Sequence, residues 1–152
     1  MRKILSLSQS QRFSDLALLL LRLFVGLFLI WGVWDNITSP ERMQEFVGFL
    51  EKHGFPSPRI LAPVSVYAQF AIGVAFVLGL LTRWAGVLCV INFVVAIVMV
   101  DHLGGMRGIF PSGCLVVIGL YLATHGAGRY SIDAAIGAND APRTTGGVRL
   151  MK

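Results

Sequence analysis

The stretch Leu16–Trp34, LALLLLRLFVGLFLIWGVW, decides the fold class. It is broken by one charge, Arg22, and as a helix it extends about 28 Å, close to a hydrocarbon core of roughly 30 Å. Trp31 and Trp34 end it as interfacial anchors do. The preceding MRKILSLSQSQRFSD has the positive start of a signal peptide, but no small-residue cleavage pattern follows the apolar run, so it reads as a retained first span.

The rest of the chain repeats the pattern. A second apolar run, 60–81, follows the Pro56, Pro58 and Pro63 cluster, and only Thr82 and Arg83 separate it from a third, 84–103, so these two form a tight helical hairpin. A fourth run, 112–125, is short, starts near Pro111 and holds Gly113 and Gly119, which membrane helices tolerate. The expectation is an all-α, polytopic transmembrane four-helix bundle forming a single membrane domain, with a flexible tail over 137–152.

Composition agrees. Of 152 residues 55% are hydrophobic and 14% charged, too few charges to cover a soluble surface. The net charge of +5 could suggest nucleic acid, yet the basic residues cluster at the ends of the apolar runs and form no recognition element. They are a topology signal. Arg2, Lys3, Arg12, Arg83, Arg129, Arg143, Arg149 and Lys152 fall on one face, and Arg42, Lys52, Arg59 and Arg107 on the other. The positive-inside rule therefore predicts both termini in the cytoplasm.

The first outer loop carries its own periodicity. Ser39-Pro40-Glu41 caps and opens a helix, and Met43, Phe46, Val47 and Leu50 form one apolar stripe, predicting an amphipathic helix over about 41–53. It lies on the membrane surface or folds back over the bundle.

Polar side chains inside spans each ask for a partner or a role. Arg22 lies about 10 Å inside the first helix and Asn92 about 12 Å in from the same side; Gln69 lies about 12 Å in from the opposite side. Two uses compete for Arg22, Gln69 and Asn92: interhelical glue, with the guanidinium donating to both amide oxygens, or a polar pocket for an anion or a quinone-like headgroup; snorkelling of Arg22 to lipid phosphates is the third alternative. No carboxylate is expected at the depth of Arg22. At the outer rim Asp35, Asp101 and His102 form a second candidate cluster, which His53 could join, but their spacing matches no defined metal pattern. Cys89 and Cys114 sit singly in apolar runs and read as packing residues. On the second span Ala71, Ala75 and Gly79 form a small-residue ridge suited to close helix approach, within one bundle or in a homo-oligomer. No catalytic set appears in the sequence.

Several fragments together carry a resemblance: Arg22-Leu23 with Gly26, Phe28 and Gly32; Pro40-Glu41; Phe49 to Gly54; GLLTRWAG at 79–86; and GAGRYSID at 126–133. In this order, across roughly 13–136, the chain resembles the DoxX family of small bacterial four-helix membrane proteins. The resemblance implies a plasma-membrane protein. It also implies an accessory role in a quinone- or thiol/sulfur-linked redox system, since relatives are described as subunits of a thiosulfate:quinone oxidoreductase or as partners of redox proteins. On that reading the cofactors are none of its own, with a bound quinone or lipid as ligand, and the partners are lipid and a redox protein. The alternative is a small carrier or a lipid- or metabolite-binding protein with no redox role. The chain departs from the common pattern in lacking a lysine around Val33-Trp34-Asp35 and in carrying Gln69 where a glutamate is frequent; both changes remove charge.

Overall fold

The computed structural model describes residues 13–140, and over these the chain is helical. Its elements are α1 (Ser14–Thr38), α2 (Pro40–Lys52), α3 (Pro58–Leu78), α4 (Thr82–Met99), a 3₁₀ turn (Asp101–Gly104), α5 (Gly105–His125) and α6 (Ile132–Asp140). Among the described residues four segments are long and apolar enough to cross a membrane: α1, α3, α4 and the turn with α5. The protein is thus a multi-pass integral membrane protein. The N-terminal end of α1, the α3–α4 hairpin and the C-terminal end of α5 lie on one side, here the terminal face; α2 lies on the other.

Lipid offers no hydrophobic drive for helices to associate, so they must meet through close backbone contact. Two glycine pairs provide it. A Cβ placed on Gly26 of α1 would stand 2.7 Å from the carbonyl oxygen of Gly73 on α3, and one on Gly73 equally close to that of Gly26. On the other side a Cβ on Gly86 of α4 would stand 2.6 Å from the Gly119 carbonyl oxygen of α5. The bundle is therefore two glycine-crossed pairs, α1/α3 and α4/α5. Leu18, Val25 and Leu29, Ile72 and Phe76, Ala85 and Cys89, and Leu115 and Leu122 join all four helices in one core. Phe24, Trp31 and Trp84 point outward and are more than two-thirds exposed, the inversion expected where the solvent is lipid.

The predicted amphipathic helix is α2. Pro40 occupies its first turn, and Ser39 Oγ accepts from the Arg42 amide at 3.3 Å. Val47 and Leu50 are buried against Ala62 of α3, with Met43, Phe46 and Phe55 beside them, so the helix folds onto the ends of α1 and α3.

Four boundaries differ from expectation. The helix of the fourth span begins at Gly105, not near residue 112: α5 runs through Pro111, whose missing N–H is tolerable in a membrane helix. The third ends at Met99, where the chain tightens into the 3₁₀ turn. Thr82 opens α4 and is no linker, because Gly79 and Leu81 adopt left-handed φ of 65° and 49° and complete the turn before it. The tail is helical as far as Asp140, since Ser131 Oγ accepts from the Ala134 amide at 3.1 Å and caps α6. The rest of the expected flexible tail, 141–152, and the basic residues Arg2, Lys3, Arg12, Arg143, Arg149 and Lys152 lie outside the described residues.

Candidate functional site

Arg22 is completely buried. A guanidinium in a membrane bundle requires acceptors, and it finds one in the segment after α5: Nη2 donates to the carbonyl of Tyr130. The carboxylate of Asp133 supplies an opposing charge. Its Nη1 lies so close to Gly79 that a Cβ there would collide with it. Glycine at 79 therefore meets two demands, a left-handed backbone and room for the guanidinium.

Asp133 does more than balance charge. Its Oδ1 accepts from the Leu81 amide at 2.8 Å and its Oδ2 from the Thr82 amide at 3.0 Å, while its own amide donates to the Gly79 carbonyl at 2.9 Å. An acid at the start of α4 satisfies amides that have no partner within the helix and meets the positive end of its dipole. It also holds Leu81 in a left-handed conformation that an L-residue adopts at a cost of roughly 1–2 kcal/mol. The first helix, the hairpin and the terminal segment are thereby fastened into one unit. Arg22 Nε and Nη1 and the Thr82 hydroxyl are buried there with no hydrogen-bond partner among the described residues.

The two amides lie in a different place. Asn92 Oδ1 accepts from Ser65 Oγ at 3.0 Å, and Gln69 Nε2 donates to the same hydroxyl at 3.2 Å. Ser65, Gln69 and Asn92 thus form a polar relay between α3 and α4, half-buried. Among the described residues no hydrogen bond joins Arg22 to either amide, so the expected three-residue convergence separates into two sites. A carboxylate does face Arg22, against expectation: Asp133 is brought to it by the fold-back of a segment that follows the last span.

The outer-rim residues are also divided. Asp35 lies in the last turns of α1 and pairs with Arg42 Nε at 3.6 Å, while Arg42 Nη1 donates to Glu45 Oε2 at 2.8 Å. His102 places Nδ1 3.3 Å from the Ile97 carbonyl oxygen, and His53 packs on Phe49 with its Nδ1 2.8 Å from that residue's carbonyl oxygen. Asp101 Oδ2 is buried without a hydrogen-bond partner among the described residues. No hydrogen bond or ion pair among the described residues links Asp35 to Asp101 or His102. Cys89 is buried with its thiol 3.6 Å from the Leu115 carbonyl oxygen, Cys114 is exposed, and neither is in a disulfide.

Three of these residues, Ser65, Asp133 and Tyr130, are not among those the sequence singles out as site candidates. Ser65 stood one helical turn before Gln69 and was the available signal for the relay. Asp133 and Tyr130 lay inside the quoted GAGRYSID fragment, but their contact with Arg22 depends on a segment returning across the bundle end.

No curated protein and no solved structure matches the chain. Residues 17–102, more than half of its length, match the family described as DoxX. That match includes Arg22, Gly79 and the hairpin, the groups that the terminal segment closes upon, and the chain belongs to the DoxX family.

Proposed function

We propose that the protein is an accessory membrane subunit of a quinone- or thiol/sulfur-linked redox system, resident in the bacterial plasma membrane with both termini in the cytoplasm. The observation that carries this reading is the Arg22 site. A wholly buried guanidinium bonded to the chain's own Tyr130 carbonyl is built to fix one face of the protein, and a fixed face on a membrane anchor suits the docking of a redox partner. The redox assignment itself comes from the family. Orientation is supported by Arg83 and Arg129 on the terminal face, together with the basic residues of the two chain ends.

The test is isolation of the full-length protein in mild detergent, with mass spectrometry of the associated proteins and small molecules. A redox protein that copurifies with the native chain and is lost from Asp133→Asn supports the reading. Recovery of neither a partner nor a lipid-soluble ligand overturns it.

A second reading draws on the Ser65–Gln69–Asn92 relay. Two neutral amides on facing helices, half-buried, suit a small carrier or a protein binding a lipid, a metabolite or a quinone-like headgroup through hydrogen bonds. Uptake into proteoliposomes that is lost in Asn92→Leu would favour it. A homo-oligomer is compatible with either reading, and cross-linking in native lipid distinguishes it from a monomer.

A further inference from the structure

A cleft of about 440 Å³ opens on the terminal face between the start of α4, the end of α5 and the segment leading to α6. Arg83, Trp84, His125, Gly126 and Ser131 are among its walls. Arg83 is exposed, and no hydrogen bond or ion pair is found for it among the described residues. Its guanidinium lies over Gly126, where an added Cβ would stand 3.3 Å from Nε, so the glycine leaves the cation room. Asp133 also reaches the cleft, but both its oxygens accept amides of the hairpin. Arg83 is therefore the charged wall of the cleft whose side chain has no hydrogen-bond partner among the described residues.

Position defines the ligand. Trp84, 70% exposed beside Arg83, and His125, stacked on Tyr121 with ring centroids 5.0 Å apart, stand where two spans end, at the depth of lipid headgroups. The anion abundant at that depth is phosphate, whose oxygens a guanidinium engages in pairs. We propose that this cleft is a binding site for the phosphate of an anionic membrane lipid. Arg83 supplies the charge, His125 a second polar contact, and Trp84 packs against the glycerol and upper acyl chain. The site is independent of any redox role.

Full-length protein reconstituted in equimolar phosphatidylglycerol and phosphatidylcholine, then released for native mass spectrometry, reports which lipid it retains. The wild type is expected to retain phosphatidylglycerol preferentially, and Arg83→Gln to lose about fivefold of that preference, the value of one basic group near the surface. Arg129→Gln removes the same charge from the same face without removing a wall of the cleft, and should keep the preference. Equal retention by Arg83→Gln and wild type overturns the proposal, and so does an equal loss in Arg129→Gln, which would mean a diffuse field. A second arm adds inorganic phosphate or short-chain phosphatidylglycerol to detergent-solubilised protein and follows the melting temperature. Stabilisation by the lipid alone, absent in Arg83→Gln, supports the assignment. Equal stabilisation by inorganic phosphate reassigns the cleft to a free phosphate and overturns the lipid.

Discussion

Arg22 of the first span donates to the carbonyl of Tyr130, 108 residues further along the chain, and this contact ties the beginning of the bundle to its end. Around it Asp133 closes the hairpin, so a single segment after the last span both contacts a buried cation and accepts from the open amides of α4.

Removing the carboxylate should therefore loosen the hairpin and the tail together. Asp133→Ala leaves the Leu81 and Thr82 amides without their acceptor and is expected to cost about 1–3 kcal/mol. Thermal unfolding in detergent measures the loss, and protease cleavage within 126–140 should accelerate in the same variant. Unchanged cleavage would show that the segment is held by something else.

Arg22 and Asp133 should be energetically coupled. Arg22→Leu and Asp133→Asn are each expected to destabilise, and the double variant by less than their sum, with a coupling of about 0.5–3 kcal/mol. A double-mutant cycle on melting in detergent reads this directly; strict additivity would mean the two groups do not sense each other.

The glycine crossings predict a graded response to size. A side chain on Gly86 must displace the Gly119 backbone, and Gly86→Leu is expected to cost at least the roughly 1–3 kcal/mol of an overpacked core. Gly32 has open space around its Cβ position, so Gly32→Ala should leave the melting temperature unchanged within about 0.5 kcal/mol equivalent. Equal effects at both positions would refute close packing at Gly86.

The relay of α3 and α4 should contribute modestly. Ser65→Ala removes the hydroxyl shared by Gln69 and Asn92 and is expected to destabilise by about 0.6–2 kcal/mol, measured by unfolding in a fixed detergent. A loss well above that range would indicate a larger buried network than these three groups.

At the start of α2 the Ser39 hydroxyl donates to Glu41 Oε2 at 2.7 Å and holds that carboxyl below its ordinary value. A depressed carboxyl stabilises the folded state above the usual glutamate range, and that contribution fades as pH falls through the lowered value. Carbon-detected NMR titration should show Glu41 moving upward in Ser39→Ala, and the same change should cost about 1 kcal/mol through loss of the cap. No upward movement would assign the shift elsewhere.

Much of this was legible from residue order. Four spans and the stripe Met43, Phe46, Val47 and Leu50 follow from local periodicity, because lipid requires each spanning helix to satisfy its own backbone and to present apolar side chains along its length. Arg22, Gln69 and Asn92 stood out for the same reason, as polar groups in apolar helices. Their partners did not. The depth at which α1 meets the hairpin is set by the Gly26–Gly73 crossing, and that crossing places Arg22 beside Gly79 and away from the amides.

The spans, the amphipathic helix and the residues costly to bury are readable from residue order, since all of these depend on neighbours within a few turns. That Arg22 meets Tyr130 and Asp133, that Ser65 bridges the two amides, and that Asp35 pairs with Arg42 instead of the Asp101–His102 turn emerges from the packing of the helices. The physical reason is that hydrogen bonds and charge pairs act over a few ångströms, while the residues that make them are brought within that distance by helix crossings and by a chain segment folding back, neither of which leaves a local periodic trace.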